Sequence, residues 1–269
     1  MTDDARKAGE AGKAVKASGA PKGPITDTMK KPLAKRFYKE ATAGADGPFH
    51  ILLDGRAVKT PKKRALFLPT HALAEAVAAE WAEQGTMIEP GTMPLTRFAN
   101  TAIDAVADSL DAVAGDIIAF AGSDHLCYRA GAPQELQQVQ AGHWDPVLTW
   151  AREALGARFT VVNGVMPVEQ PPAALSMMAS ALLPHDAFRL TGLHVLTTLT
   201  GSALLALAHA RGFLTAGETW AAAHVDEDYQ ISLWGVDDEA ERRRRLRRAE
   251  FDAASAFLKL LRDTQKSAS

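Results

Sequence analysis

The stretch His50-Ile51-Leu52-Leu53-Asp54-Gly55-Arg56-Ala57-Val58-Lys59-Thr60-Pro61 decides how the folded part of the chain begins. Two β-prone runs flank Asp54-Gly55. A type I′ turn needs φ > 0 at both central residues, and Asp-Gly meets that need at little steric cost. Pro61 has no N–H to give to a ladder, so pairing stops there. Phe37 and Tyr38 open the block ahead of the hairpin, and Ala65 to Leu68 reads as a third short strand behind it.

Further along, the apolar period lengthens from two residues to that of a helix. Thr70 is placed to cap a helix reaching Gln84, with Leu73, Val77 and Trp81 on one face and Gly85 as its stop. Met93-Pro94-Leu95-Thr96 leads into a second helix with Phe98, Ala102, Ala105 and Val106 on one side. Beyond Cys127 the pattern is helical. Pro133 and Pro146 read as first-turn prolines, Pro146 behind a capping Asp145, and Gly156 as a helix end. Phe159 to Val162 reads as one short strand, and Pro171 and Pro184 bracket a short helix. Asp186 to Arg211 reads as a single long apolar helix stopped by Gly212. Thr215 and Glu218 form a capping box for a helix ending at Gly235. The last helix covers Asp237 to Leu261, with Leu246, Ala249, Ala253, Phe257 and Leu260 as its apolar stripe.

The expected fold class is α+β: a small β-rich N-terminal domain with attached helices over 33–127, then an all-helical C-terminal domain over 128–262. Residues 1–32 hold no aromatic residue and read as a disordered tail, because such a segment buries too little apolar area to offset its ordering entropy. Residues 263–269 read as a second tail.

A net charge of −2 over 269 residues leaves no basic footprint for nucleic acid at the level of the whole chain. Cys127 is the sole cysteine, so a disulfide framework within the chain is excluded and a reducing compartment is expected. Asp3, Asp4 and Glu10 stand where a secretory signal would be apolar. Leu190 to Ala210 lacks Asp, Glu, Lys and Arg, but it carries His194, Ser202, His209 and several threonines. It reads as a buried core helix rather than a membrane span.

Known catalytic patterns are missing from the sequence. It contains no GxxxxGK[ST] or GxGxxG phosphate loop, no GxSxG elbow and no HExxH. His125 and Cys127 do not close a zinc site, and Cys127 reads as a buried structural thiol. His224, Asp226 and Asp228 offer a divalent-metal alternative and hence a small metal-dependent hydrolase, although on a helix Asp226 leaves the face shared by the other two. The run Arg242-Arg243-Arg244-Arg245-Leu246-Arg247-Arg248 offers a nucleic-acid or protein adaptor, weighed against a helix face paired with its own acids. Arg56, Lys59 and Thr60 on the hairpin, and Ala79-Glu80-Trp81 on the next helix, are trios that folding alone does not demand. The acids Asp237, Asp238 and Glu239 after Gly235 are suited to meeting a basic patch on a partner.

The ordered set of these residues resembles a family. Arg36-Phe37-Tyr38-Lys39, Leu53 through Pro61, Leu68-Pro69-Thr70, Ala79-Glu80-Trp81, Met93-Pro94-Leu95-Thr96 and Asn100-Thr101-Ala102-Ile103-Asp104 are similar to the F-type ATP synthase assembly chaperones. This is the mitochondrial F1 complex assembly factor 2 family with its alphaproteobacterial members. His125 through Ala130, Trp144-Asp145-Pro146, Leu193-His194, Tyr229-Gln230-Ile231 and Trp234-Gly235 continue the match, so it spans about residues 36 to 258. The resemblance implies a non-enzymatic chaperone that binds the free F1 alpha subunit and shields its subunit interface until the beta subunit replaces it. It implies no catalytic residue, cofactor or metal, no nucleic acid, no membrane embedding, and a monomer when free. The location would be the bacterial cytoplasm, or the mitochondrial matrix in a eukaryote. The partner-binding residues it points to are Trp81 and the acidic stretch Asp237, Asp238 and Glu239 behind Trp234. Arg56, Lys59 and Thr60 are candidates beside them.

Overall fold

A computed structural model describes residues 33–45, 47–183 and 185–262. The two expected tails and Pro184 lie outside the described residues. The fold is α+β, as the residue pattern predicts. Strand β1 (Ala41–Ala43) pairs antiparallel with β2 (Phe49–Leu53), and β2 turns into β3 (Arg56–Ala57). The turn has φ of 47° at Asp54 and 77° at Gly55, the two positive angles a type I′ turn requires. Strand β4 (Phe67–Leu68) returns to the other end of β2 and pairs Leu68 with Phe49. Alternation along β2 buries Ile51 and Leu53 on one face.

Helix α1 (His71–Ala82) covers that sheet, capped by Thr70, whose Oγ1 accepts from Leu73 N at 3.1 Å. Gly85 is not left-handed and does not stop it. The stop comes from a distant residue: the Arg36 guanidinium donates to the carbonyls of Ala82 and Gln84, satisfying orphan acceptors at the helix end. Helix α2 (Pro94–Asp104) buries Phe98 and Ala102, but Ala105 is exposed, because the helix breaks there and Val106 is buried from a short 3₁₀ turn. Helix α3 (Leu110–Gly122) follows.

Strand β5 (Tyr128–Arg129) pairs in parallel with β6 (Val162–Asn163), so the expected strand at Phe159–Val162 is shorter and begins at Val162. Pro146 is not a first-turn residue. It sits inside α4 (Gln134–Leu155), and Asp145 does not cap that helix but accepts from Arg129 Nη2 at 2.6 Å. Leu136, Gln140, Trp144, Val147 and Ala151 form one buried stripe across the proline, and that packing outweighs the ~3 kcal/mol an interior proline costs. Gly156, at φ 72°, ends α4 as predicted.

Helix α5 (Pro172–Leu182) precedes the apolar run, which is two helices rather than one: α6 (Ala187–Thr200) and α7 (Ala203–Ala210). Gly201 at φ 69° breaks them. A buried acid holds the break open. Asp124 Oδ2 accepts from Ser202 Oγ at 2.8 Å and from Leu204 N at 3.1 Å. Among the described residues, no helix is long and apolar enough to cross a membrane.

The Thr215/Glu218 capping box is present at the start of α8 (Ala216–Ala223), but the chain breaks again at His224 before α9 (Val225–Trp234). Helix α10 (Asp238–Leu260) is capped by Asp237, whose Oδ1 accepts from Ala240 N at 2.8 Å. Its buried face is Phe251, Ala254, Phe257 and Leu258. The predicted stripe shares only Phe257 with that set, and Leu246 and Ala249 are exposed. Alanines fit several helical stripes equally well, so the phase is set by which face meets α6. There Gly192 lies so near Leu258 that an added Cβ would stand 2.6 Å from its Cδ2. One continuous apolar core runs from Ile51 to Leu261, and Phe98 of α2 stacks edge-on against Phe257 of α10.

Candidate functional site

Two surfaces collect the residues singled out in the sequence. The first is a groove of about 590 Å³ beside the hairpin, lined by Phe37, Tyr38, Leu53, Arg56, Val58 and Trp81, with Asp54, Ala57 and Lys59 at its edge. Arg36 organises its floor. Its guanidinium also donates to the Tyr38 and Lys39 carbonyls and lies 4.7 Å over the Tyr38 ring. Tyr38 Oη donates to the Trp81 carbonyl at 2.7 Å, and the two rings meet edge-on at 5.8 Å. Burial lifts the Tyr38 phenol above its ordinary pKa, against the lowering influence of Arg36. Trp81 is half-buried, and its Nε1 has no partner among the described residues.

The rim charges are unequal in availability. Asp54 accepts from Lys39 N and Glu40 N, and these bonds hold its carboxyl below the usual carboxylate range. The Arg56 and Lys59 side chains make no hydrogen bond or ion pair among the described residues. Thr60 does not join them. It is buried, and its Oγ1 donates to Asp104 Oδ1 at 2.6 Å, fastening the turn after the hairpin to the end of α2.

The second surface is the tip where α9 meets α10. Trp234 is 83% exposed, and Leu233 and Val236 beside it in the chain are exposed too. Helix α9 buries only Val225, and polar ties hold it: Gln140 Nε2 donates to Asp226 Oδ1 at 2.7 Å, and Arg244 pairs with Asp228. A small cavity of about 170 Å³ lies under Trp234, Val236 and Asp237. Asp238 is exposed in the first turn of α10, and Glu239 pairs with Arg242 and, more loosely, Arg243. Trp81 with the hairpin basics and Trp234 with the acids thus lie on two different surfaces.

The remaining candidates are drawn into the fold. Cys127 is buried, and burial together with the nearby Asp124 charge pushes its thiol up to about 12. His224 is buried and stacked on Trp220, with Nδ1 donating to the Trp220 carbonyl at 2.9 Å. Asp226 and Asp228 are engaged elsewhere, and among the described residues no group of three His, Cys, Asp or Glu gathers as a metal site would. The arginine run is largely engaged as well: Arg245 pairs with Glu241, Arg247 donates to the Leu199 carbonyl, and Arg248 pairs with Asp252 over the Trp220 ring.

Sequence reasoning missed three exposed apolar residues. Phe37, expected to open the strand block, lies ahead of β1 and is 74% exposed at the mouth of the groove. Its ring leans edge-on against the buried Tyr38 ring at 5.4 Å, so Tyr38 takes the floor and Phe37 the mouth. The helix pattern places Leu233 inward with Trp220, but the break at His224 separates them and Leu233 is exposed; Val236 carries no signal.

The family described as ATP12 chaperone protein matches residues 35–152. A candidate chaperone from Agrobacterium tumefaciens is 46% identical over 90% of this chain and 92% of its own, with a TM-score of 0.82. Atp12 from Paracoccus denitrificans is 42% identical over 85% of this chain and 99% of its own, with a TM-score of 0.80. An aspartate-to-lysine mutant of P. denitrificans Atp12p aligns at 41% identity over 85% and 98%, with a TM-score of 0.81. Identity at this level over nearly the whole of a relative places the present chain with it: the chain belongs to the ATP12 chaperone family.

Proposed function

We propose that this protein is an assembly chaperone for the F1 sector of F-type ATP synthase. In this reading it binds the free alpha subunit, shields the surface destined for the beta subunit, and gives way when beta arrives. It acts without catalysis, cofactor, metal or nucleic acid, as a monomer when free, in the bacterial cytoplasm or its mitochondrial equivalent. An interface made for an obligate partner is apolar and prone to association while uncovered. A holder for it needs apolar anchors of its own and contacts that can be exchanged.

The observation that carries this reading is the tip at α9 and α10. A tryptophan 83% exposed, on a helix that buries one residue, has no folding reason to be there. Tryptophans are favoured anchors in interfaces. Asp237, Asp238 and Glu239 beside it supply charge for a basic rim on the client. Trp81, Arg56 and Lys59 form a second contact, and Thr60 acts behind them by holding the turn. The test is co-purification of the chain with isolated alpha subunit, with beta subunit as control. Retention of alpha and not beta is expected, and no retention of alpha, or equal retention of both, ends the reading.

A further inference from the structure

We propose that the hairpin groove takes an extended, acidic segment of the client, added as a new strand along the open edge of residues 56–59. This rests on the client reading above. Alternate residues of a strand turn their N–H and C=O to opposite edges. Val58 N–H donates inward to the Ile51 carbonyl at 2.9 Å, and the Val58 carbonyl accepts from Leu66 N at 3.0 Å. Thr60 N–H turns the same way, to the Arg64 carbonyl at 2.9 Å. The N–H and C=O of Ala57 and Lys59 therefore face outward, along the groove. An open edge of this kind is a template for one more strand, with the ladder giving affinity and side-chain pockets giving selectivity.

The lining defines the occupant. Leu53, Tyr38 and Val58 with the half-buried Trp81 make an apolar floor, and Phe37 stands exposed at the mouth. The uncommitted charges at the rim are Arg56 and Lys59, because Asp54 is tied to the Lys39 and Glu40 amides. The complement is a strand with a carboxylate toward the rim and a large apolar side chain toward the floor. The chain's own residues 1–32 carry seven Lys and Arg against four Asp and Glu, a net charge of the wrong sign for this rim. A second copy paired edge to edge would set Arg56 and Lys59 against their own images.

The experiment uses the full chain and purified alpha subunit, with Ala57→Pro and the double variant Arg56→Glu/Lys59→Glu. Proline at 57 removes an N–H that the fold itself does not use, and circular dichroism checks that both variants melt as wild type does. Each variant is expected to hold alpha on the order of tenfold more weakly. A second arm measures fluorescence anisotropy of a labelled peptide of alternating valine and glutamate with a central phenylalanine. Wild type is expected to bind it, both variants to lose it, and a lysine-for-glutamate peptide not to bind. If folded variants hold alpha as wild type does, the groove inference is overturned and the holding reading stands. If wild type holds no alpha, the holding reading falls, and the groove falls with it as a client site. The peptide arm then decides whether an acidic strand of another source fits there. Failure of the acidic peptide to bind, equal binding of the lysine peptide, or a tenfold gain on deleting residues 1–32 would each overturn the proposal.

Discussion

The carboxylate of Glu80, in the last turn of α1, closes the start of α2 through Thr96. Glu80 Oε2 accepts from Thr96 N at 2.8 Å and from Thr96 Oγ1 at 2.7 Å, while Oε1 accepts from Leu95 N at 2.7 Å. Met93, at the cap position, offers no side-chain bond, so the cap arrives from another helix. Burial raises the Glu80 pKa, and the Thr96 and Leu95 bonds oppose that rise. Glu80→Ala should lower stability by about 2 kcal/mol and Glu80→Gln by about 1 kcal/mol, since the amide keeps one acceptor. Urea denaturation measures both, and an alanine variant as stable as wild type would remove the capping role.

Gly192 leaves room for α10 to pack close against α6. A Cβ there would meet Leu258 Cδ2 at 2.6 Å, Leu258 Cγ at 2.7 Å and Phe257 Cδ1 at 3.4 Å. Gly192→Ala should destabilise by about 1–3 kcal/mol through overpacking. Adding Leu258→Ala should cost less in that background than alone, because the two changes share one space. Simple additivity in thermal melts would show that the helices move apart instead.

Trp81 serves both packing and surface. It packs against the satellite cluster of Tyr38, Leu53, Ile88 and Met93. Trp81→Arg sets an unpaired charge beside those side chains and should lower the melting temperature, whereas Trp81→Phe should largely keep it. A Trp81→Arg protein that melts like wild type and yet fails to hold alpha would assign the residue to contact alone.

Trp234 and Glu239 carry the opposite expectation. Both are exposed, so Trp234→Ala and Glu239→Lys should change stability by no more than about 0.5 kcal/mol. Each should abolish rescue of alpha-subunit solubility on co-expression. Full rescue by both would detach the tip from function.

Two buried histidines and one half-buried histidine set the pH response. Burial lowers the pKa of His185, His209 and His224 below the ordinary value. His209 is held between the Leu214 carbonyl at 3.0 Å and Ser255 Oγ at 2.8 Å. Below about pH 6.5 the unfolded chain binds protons that the folded chain refuses, so stability falls with pH until the lowered folded values are passed. Glu80 and Asp124, both raised, act with the opposite sign: the folded chain holds their protons, and that contribution fades as pH rises above the unfolded carboxylate values. The melting temperature should drop between about pH 7.5 and about pH 5.5, and His209→Gln with His224→Gln should flatten the drop. An unchanged slope in the double variant would assign the response to other groups.

Much of the fold was legible because local chemistry and the final structure agree. Asp54-Gly55, Thr70, the Thr215/Glu218 box and Gly156 each act where the sequence places them. The misreadings share a cause. Pro146 stays inside a helix because the stripe from Leu136 to Ala151 holds both halves, and Gly201 breaks one because Asp124, far away in sequence, takes the freed Ser202 and Leu204 donors.

The sequence by itself determined the α+β class, the hairpin turn, most caps and, through its ordered motifs, the family. These depend on interactions within a few residues, or on residues read one after another. Only the tertiary structure decided that Arg56, Lys59 and Trp81 share a groove while Thr60 turns inward to Asp104, and that Trp234 stands free at a tip with Glu239. Helical and strand periods fix which residues share a face. Which face is covered depends on partners tens or hundreds of positions away, as Thr70 and the Leu260 carbonyl, 3.0 Å apart across 190 residues, illustrate.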